Sequence, residues 1–488
     1  MKMIDGLVLT TMFAITAIGI AGAVAPAAKA APPPPAKGCP LTGWAEGLGK
    51  YLKPDFPFPT SDTKNVPTPD CNFHQWSWEA FVWATALIKD PASDAIVPRF
   101  MTFATPADLL NNNENAGEAK LRPLTLAARA QVFHDAPGFT EGAGAIVQAD
   151  GNMLVAQNGY PVYASVHMNP GYFNTARKNL IATGGFQSQP ADSSFSVGDA
   201  VFKATWLRLD SSQTPPAGAY TTEAKVPVLQ NSVAPGQITI QPVPGKFVTV
   251  KVALIGLHVV GYTENHPEFL WGTFELKGNS PQTADNTFKP SPSKSDPKTY
   301  TLYKGGTRFS EVNVAALPGA NRPQLKLDPE SQKLTPATNA VLENQTGGEN
   351  QPNGVGNIFA ITAQAQGFLS GLKGPQSTFA NYSLDGTVWM LPNSYNLKSD
   401  QTSAVGSVSL ANTTAETFVQ NPNNTPITNV LNCFLCHNPT SYSFQTPPPA
   451  KLPNRLIALS HVLAAGSPYE VPNSISGRLL LRPDLFRK

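Results

Sequence analysis

Several kinds of residue and pattern are scarce in this chain, and each scarcity removes a class of function. Only 14% of the 488 residues are charged, and 35 Lys and Arg nearly balance 33 Asp and Glu. Nucleic acid and anionic membrane surfaces select concentrated positive charge, so neither is expected as the main partner. There is no G-x-S-x-G, no H-E-x-x-H and no phosphate-binding glycine loop, so the common hydrolase, metalloprotease and nucleotide signatures are missing. No convincing internal repeat occurs. After the N-terminal thirty residues no stretch is long and apolar enough to cross a bilayer. Cysteine is limited to Cys39, Cys71, Cys433 and Cys436, histidine to seven scattered positions, and no methionine follows Met390.

The N-terminus reads as an export signal. Lys2 gives a weakly positive start, residues 7–25 are apolar, and Ala28-Lys29-Ala30 supplies a small-x-small cleavage pattern. The apolar run also approaches the length of a membrane span, so an uncleaved anchor is the alternative. Removing residues 1–30 takes away Lys2, Lys29 and Asp5 and leaves 33 basic against 32 acidic side chains. The expected location is periplasmic or secreted, with no membrane span once the signal is cleaved.

Pro and Gly are abundant, 47 and 38 residues, yet below the level of a disordered chain. The expected fold is mainly β with added helices (α+β), a β-sandwich-like body between helical ends. Residues 31–40 form a Pro-rich spacer, and 41–150 a helical region with a short helix over 41–52. Within it Cys71–Ile88 carries Phe73, Trp76, Ala80, Trp83, Ala84 and Leu87 on one stripe and Trp78, Phe81, Val82 and Ile88 on a second. A helix apolar on nearly every side is a buried one. Residues 151–350 hold strand-like segments such as YPVYASVHM, VFKATWLRL, QITIQPV, KFVTVKVALIGLHVVGY, EFLWGTFEL and TYTLYK. The polar stretches 278–297 and 329–354 are expected as surface loops, and 355–372 returns to helical spacing. Further helices are expected near 410–420, 426–437 and 453–464, within a C-terminal region 351–488.

That last region holds LNCFLCHNPT, in which Cys433, Cys436 and His437 form C-x-x-C-H, the local pattern for covalent haem attachment. Residues three apart share a helix face, so both thiols reach one porphyrin edge, and His437 follows as proximal iron ligand. Thr425-Pro426 starts a helix that ends on the motif. A zinc site would need a second ligand pair, and a thioredoxin-like C-x-x-C a βαβ pattern; neither is present. The expected cofactor is one covalent haem c. In an oxidising compartment Cys39 and Cys71 are then left to pair, closing a loop of about 33 residues worth roughly 3–4 kcal/mol.

Through CFLCH the chain resembles the c-type cytochromes, which implies haem c, attachment outside the cytoplasm, and Cys433, Cys436 and His437 as attaching and ligating residues. It departs from small cytochromes c in lacking a later methionine. Through FHQWSWEAF, LIGLHVVGYTENHPEFLWGTFE, LANTTAETFVQ and CFLCHNPTSY it is similar to exported bacterial proteins described as cytochrome c family members. That similarity implies the haem and no particular reaction.

Among candidates for a sixth iron ligand, His461 leads because it follows His437 by 24 residues on a predicted helix. His258 in an apolar strand and His266 in the turn NHPE come next, then His74 and Met390; His134 and His167 complete the set. Trp76, Trp78 and Trp83 have the spacing of core residues, with a relay role as the alternative. Glu264, Glu268 and Glu275 read as solvated loop carboxylates, with acid/base or cation-binding work as the alternative. The function these features point to is a monohaem carrier of electrons with a protein redox partner. The alternative is a haem-dependent oxidase, peroxidase, oxygenase or sensor with an open iron.

Overall fold

A computed structural model describes residues 41–62, 71–90, 94–105, 153–183, 195–234, 237–282, 295–315, 325–343, 354–390, 404–407 and 410–420, with single positions 108, 124 and 126. All lie in one compact unit, Pro34–Lys488. The class is mixed α+β with strand predominating. Helices are α1 (Trp44–Gly47), α2 (Cys71–Thr85), α3 (Pro170–Thr183) and α4 (Gly354–Ser370). Strands are β1 (Leu87–Lys89), β2 (Ile96–Pro98), β3 (Val162–Met168), β4 (Ala200–Arg208), β5 (Thr221–Ala234), β6 (Gln237–Thr263), β7 (His266–Leu276), β8 (Lys326–Asp328), β9 (Lys333–Thr335), β10 (Tyr382–Met390) and β11 (Ala404–Gly406). Among the described residues no helix is long and apolar enough to cross a membrane.

Seven strands make one antiparallel sheet in the order β11-β10-β7-β6-β4-β3, with β5 also on β6. One side of the long strand β6 pairs with β4 over Val252–Gly261; on its other side β7 and β5 follow one another. Pro242 and Pro244 fall where β6 has left β4 behind and only one edge is paired, which is where a strand tolerates proline. Alternation along β6 and β7 sends Leu257, Val259 and Phe274 to one face and His258, Thr273 and Glu275 to the other.

Helix α2 lies on the apolar face. Phe81 stacks on Phe274 at 4.2 Å between centroids, and Trp78 meets Phe274 edge-on at 4.9 Å. Trp76 and Trp78 are fully buried and Trp83 nearly so, which makes them core. Each indole N–H is satisfied: Trp76 donates to the Pro59 carbonyl at 3.0 Å, Trp78 to Thr362 Oγ1 of α4 at 3.3 Å, and Trp83 to the Phe56 carbonyl at 2.7 Å. Glu79 ties the helix to the segment before it, accepting from Trp44 Nε1 at 3.2 Å and Tyr51 Oη at 2.5 Å. The Arg99 guanidinium is buried against the Trp83 ring at 4.5 Å and donates to the Trp83 carbonyl near the helix C-terminus at 3.1 Å. That is the end where a cation is favoured, although burial draws the guanidinium down to about 10.

Several expectations need correction. Instead of a second sheet, helices α2 and α4 cover the apolar face of the large sheet among the described residues; only the two-stranded pairs β1-β2 and β8-β9 stand apart. A helix that is apolar all round occupies the surface a facing sheet would need. Helix α2 stops at Thr85 rather than Ile88, because Leu87–Lys89 pairs with Ile96–Pro98. QITIQPV and KFVTVKVALIGLHVVGY are one strand, while TYTLYK supplies only the bridge Tyr300–Tyr303. The stretch 329–354 does reach the core, through buried Leu334, Ala340, Val341 and Leu342. Residues 410–420 form a side-chain-bonded turn with a 3-10 helix only at Thr417–Gln420.

The helix approaches the sheet closely because β7 has glycine at 272. A Cβ there would lie 2.5 Å from Ser77 Oγ, the hydroxyl that bonds Thr387 Oγ1 at 2.6 Å. Gly272→Ala should therefore destabilise the fold by about 1–3 kcal/mol through overpacking. Thermal or urea unfolding of the full chain measures the loss, and an unchanged midpoint would contradict this packing.

Candidate functional site

The opposite face of the sheet is polar yet buried, because the segment Leu410–Gln420 crosses it. Asn412, Thr413, Thr414 and Thr417 are buried, as are Leu410, Ala411, Ala415 and Phe418. So polar a run stays under cover by satisfying itself. Asn412 Oδ1 accepts from the Thr414 and Ala415 amides at 3.0 and 2.7 Å, and Thr417 Oγ1 donates to the Thr413 carbonyl at 2.6 Å. Such local bonds compete with the helical ladder, which is why most of the expected helix does not form. Gly256 of β6 lets the segment close in, since a Cβ there would stand 2.3 Å from Thr414 Oγ1.

Underneath, Glu275 is fully buried and takes the Thr413 amide at 2.5 Å, the Thr413 hydroxyl, and Asn279 Nδ2 at 3.3 Å. It is no solvated loop carboxylate, contrary to expectation, because it points inward from the middle of the sheet. Glu264 is exposed at the β6–β7 turn, and Glu268 lies in β7. Asp385 is the extra residue of a bulge in β10, between Leu384 and Gly386, and is buried beside Glu275. Neither of its oxygens has a well-aligned hydrogen-bond partner among the described residues.

Two carboxyls this close and this dry do not both ionise. Burial, and then the charge on Glu275, raises Asp385 well above the usual carboxylate range. Burial also raises Glu275, opposed by its bonds from Thr413 and Asn279. Glu275 accepts most of the bonds, so the shared proton sits on Asp385. The native pair thus holds a proton that the unfolded chain releases above about pH 4, so its contribution to stability falls as pH rises from there towards the raised native value. Asp385→Asn mimics the protonated acid. It should leave stability near pH 4 little changed and make the variant progressively more stable than wild type towards alkaline pH. Urea midpoints across the pH range measure this, and parallel curves would contradict a shared proton.

The histidines fall into contrasting settings. His258 Nδ1 meets Thr273 Oγ1 at 2.8 Å, and Nε2 meets Asn412 Nδ2 at 3.1 Å and Glu416 Oε1 at 3.3 Å. Both ring nitrogens are engaged, so an iron ligand role would require breaking those bonds. His167 is buried with Nε2 against Ser165 Oγ at 2.9 Å, and burial lowers it to about 4. His266 opens β7 instead of lying in a turn, and it packs edge-on to Phe73 at 5.0 Å.

His74, on the first turn of α2, is fully buried, and neither ring nitrogen has a hydrogen-bond partner among the described residues. Such a group costs about 1–3 kcal/mol when left unsatisfied. Its neighbour across the helix–sheet interface is Trp389, 6.0 Å between centroids, one residue before Met390 at the end of β10. His74, His266 and Trp389 thus converge around Phe73, which stacks on Trp389 at 4.2 Å.

Cys433, Cys436, His437, His461, His134 and Cys39 lie outside the described residues, as do the helices expected at 426–437 and 453–464. Cys71 opens α2, buried and engaged in a disulfide. Among the described residues no group of three or more His, Cys, Asp or Glu is arranged to hold a metal ion. Two buried histidines have a ring nitrogen without a well-aligned hydrogen-bond partner among the described residues, His74 at both nitrogens and His167 at Nδ1. Residues not anticipated from sequence are Asp385, Asn279, Asn412, Thr413 and Glu416. An acid beside glycine in the strand YSLDGTVWM, and the polar run LANTTAETFVQ, were the available signals. No family model, no curated protein and no solved structure matches the chain.

Proposed function

We propose that the protein is an exported monohaem c-type electron carrier. The observation that carries this reading is C-x-x-C-H at Cys433, Cys436 and His437, in a chain whose first thirty residues read as an export signal and that has only two other cysteines. Cys433 and Cys436 would hold the group by thioether bonds, and His437 would supply an iron ligand. Haem c supplies reversible one-electron exchange when bound. A helical C-terminal segment bearing the motif beside the strand-rich body belongs to the same reading. So does a Cys39–Cys71 disulfide, because two of the four cysteines are committed to the haem.

The near-neutral net charge suits docking to a protein redox partner better than to nucleic acid. The chain's own contribution is to exclude water from the group and to fix the donor opposite His437, with His461 the sequence-based choice. Two strong protein ligands leave outer-sphere transfer as the chemistry. The size of the body around a single motif favours the second reading, a haem-dependent oxidoreductase or sensor with an open iron.

Mass spectrometry of the denatured mature polypeptide should show one haem beyond the amino-acid mass, and Cys433→Ala with Cys436→Ala should lose it. A polypeptide mass without haem would sink the reading. With haem present, a ferrous spectrum indifferent to carbon monoxide supports the carrier, and rapid binding supports the open-iron alternative.

A further inference from the structure

We propose that Leu410–Gln420 is a proton-held clasp over the polar face of the sheet, closed while Asp385 and Glu275 share a proton and released as pH rises. The clasp does not depend on the haem. Its geometry is a group of acids gathered under one strip of chain. Glu275 of β7 holds the strip by accepting the Thr413 amide and hydroxyl. Asp385 in the β10 bulge is buried beside Glu275, and a third carboxyl, Glu416, comes from the strip itself. At the far end the Glu343 amide donates to Gln420 Oε1 at 2.8 Å, and burial raises the Glu343 carboxyl to about 7. On the basic side stand His258, 3.3 Å from Glu416, and the half-buried Lys203, opposite His258 in the β4–β6 register and so on the same face. These acids outnumber the bases, so the closed face has to retain protons.

The direction of the response follows from what opening does to the pair. Closed, Asp385 and Glu275 are too near and too dry to ionise together, and burial, then the Glu275 charge, keeps the proton on Asp385. Lifting the strip lets water reach both carboxyls, and each becomes an ordinary acid, ionised above about pH 4. Opening therefore releases the shared proton. From about pH 4 up to the raised closed-state value, that release makes the open fraction grow about tenfold per pH unit. The strip is suited to lifting by itself. It is bound to the sheet through side chains, Thr413 to Glu275, Asn412 to His258, and Thr414 Oγ1 to Thr205 Oγ1 at 2.9 Å. Asn412 and Thr417 meanwhile bond the strip's own backbone, and it belongs to no strand ladder among the described residues.

The test is hydrogen exchange of the full-length mature protein, read by mass spectrometry across the pH range in which it stays folded. Peptides covering Leu410–Gln420 are compared with peptides from β6 and β7, after correction for the intrinsic base catalysis of exchange. Opening of the segment should rise with pH more steeply in wild type than in Asp385→Asn, by about tenfold per unit, while β6 and β7 stay protected. Glu343 contributes equally to both proteins, so the difference isolates the shared proton. Thr413→Val removes one bond to Glu275 and should raise opening about tenfold or more at every pH without changing the slope. Should Asp385→Asn not fold, the wild-type slope and Thr413→Val still decide the matter. Parallel profiles in wild type and Asp385→Asn, or a wild-type opening independent of pH, would overturn the clasp. So would a segment that exchanges only together with the whole sheet.

Discussion

Helix α2 is apolar on almost every side, and a helix of that kind has to be covered on almost every side. The rest of the described structure follows from that requirement. The sheet supplies one wall through Phe274 and the glycine at 272, α4 a second through Thr362, and residues 44–62 a third through Phe56, Phe58 and Pro59. Three tryptophans make the requirement more specific than hydrophobicity alone, since each indole N–H needs an acceptor where it lies. The acceptors come from separate stretches of chain, Phe56 and Pro59 on one side and Thr362 on another. The helix therefore fixes the positions of segments far apart in sequence.

The sheet divides the interior into two chemistries. Its helix-facing side is closed by dispersion and aromatic contacts, while the opposite side is closed by hydrogen bonds from an eleven-residue polar segment, Leu410–Gln420. Glu275 joins the two, since it rises near the C-terminal end of β7, a central strand of the sheet, and binds the backbone of that segment. A carboxylate buried so deeply is tolerable only with this many donors. The consequence is topological: the chain is pinned to the sheet just before it runs on towards Cys433, so the C-terminal region departs from a fixed point.

Periodicity revealed what depends on one element alone. The helical spacing of α2 and α4 and the alternation in β3, β4 and β7 were all legible, as was the burial of Trp76, Trp78 and Trp83. Features that depend on a partner element were not. β10 carries Asp385 and Gly386 in its middle, which weakens its strand signal, and only the bulge against β7 explains them. Asn412 and the threonines after it have neither helix nor strand pattern, because their backbone is satisfied by side chains. Glu275 read as a loop carboxylate because nothing within its own segment announces the donors 138 residues later. The haem motif is legible for the opposite reason: its chemistry is local, contained in five consecutive residues.

His258 and His74 show how far a residue type can be read without its surroundings. Both are buried histidines on elements of the same sheet–helix core, and from sequence His258 was the stronger ligand candidate because of its apolar strand. In the fold, His258 faces the polar side and finds Thr273, Asn412 and Glu416. His74 faces the aromatic side, where among the described residues neither ring nitrogen has a hydrogen-bond partner. An imidazole left without a partner there costs about 1–3 kcal/mol, a penalty that leucine or phenylalanine would not carry.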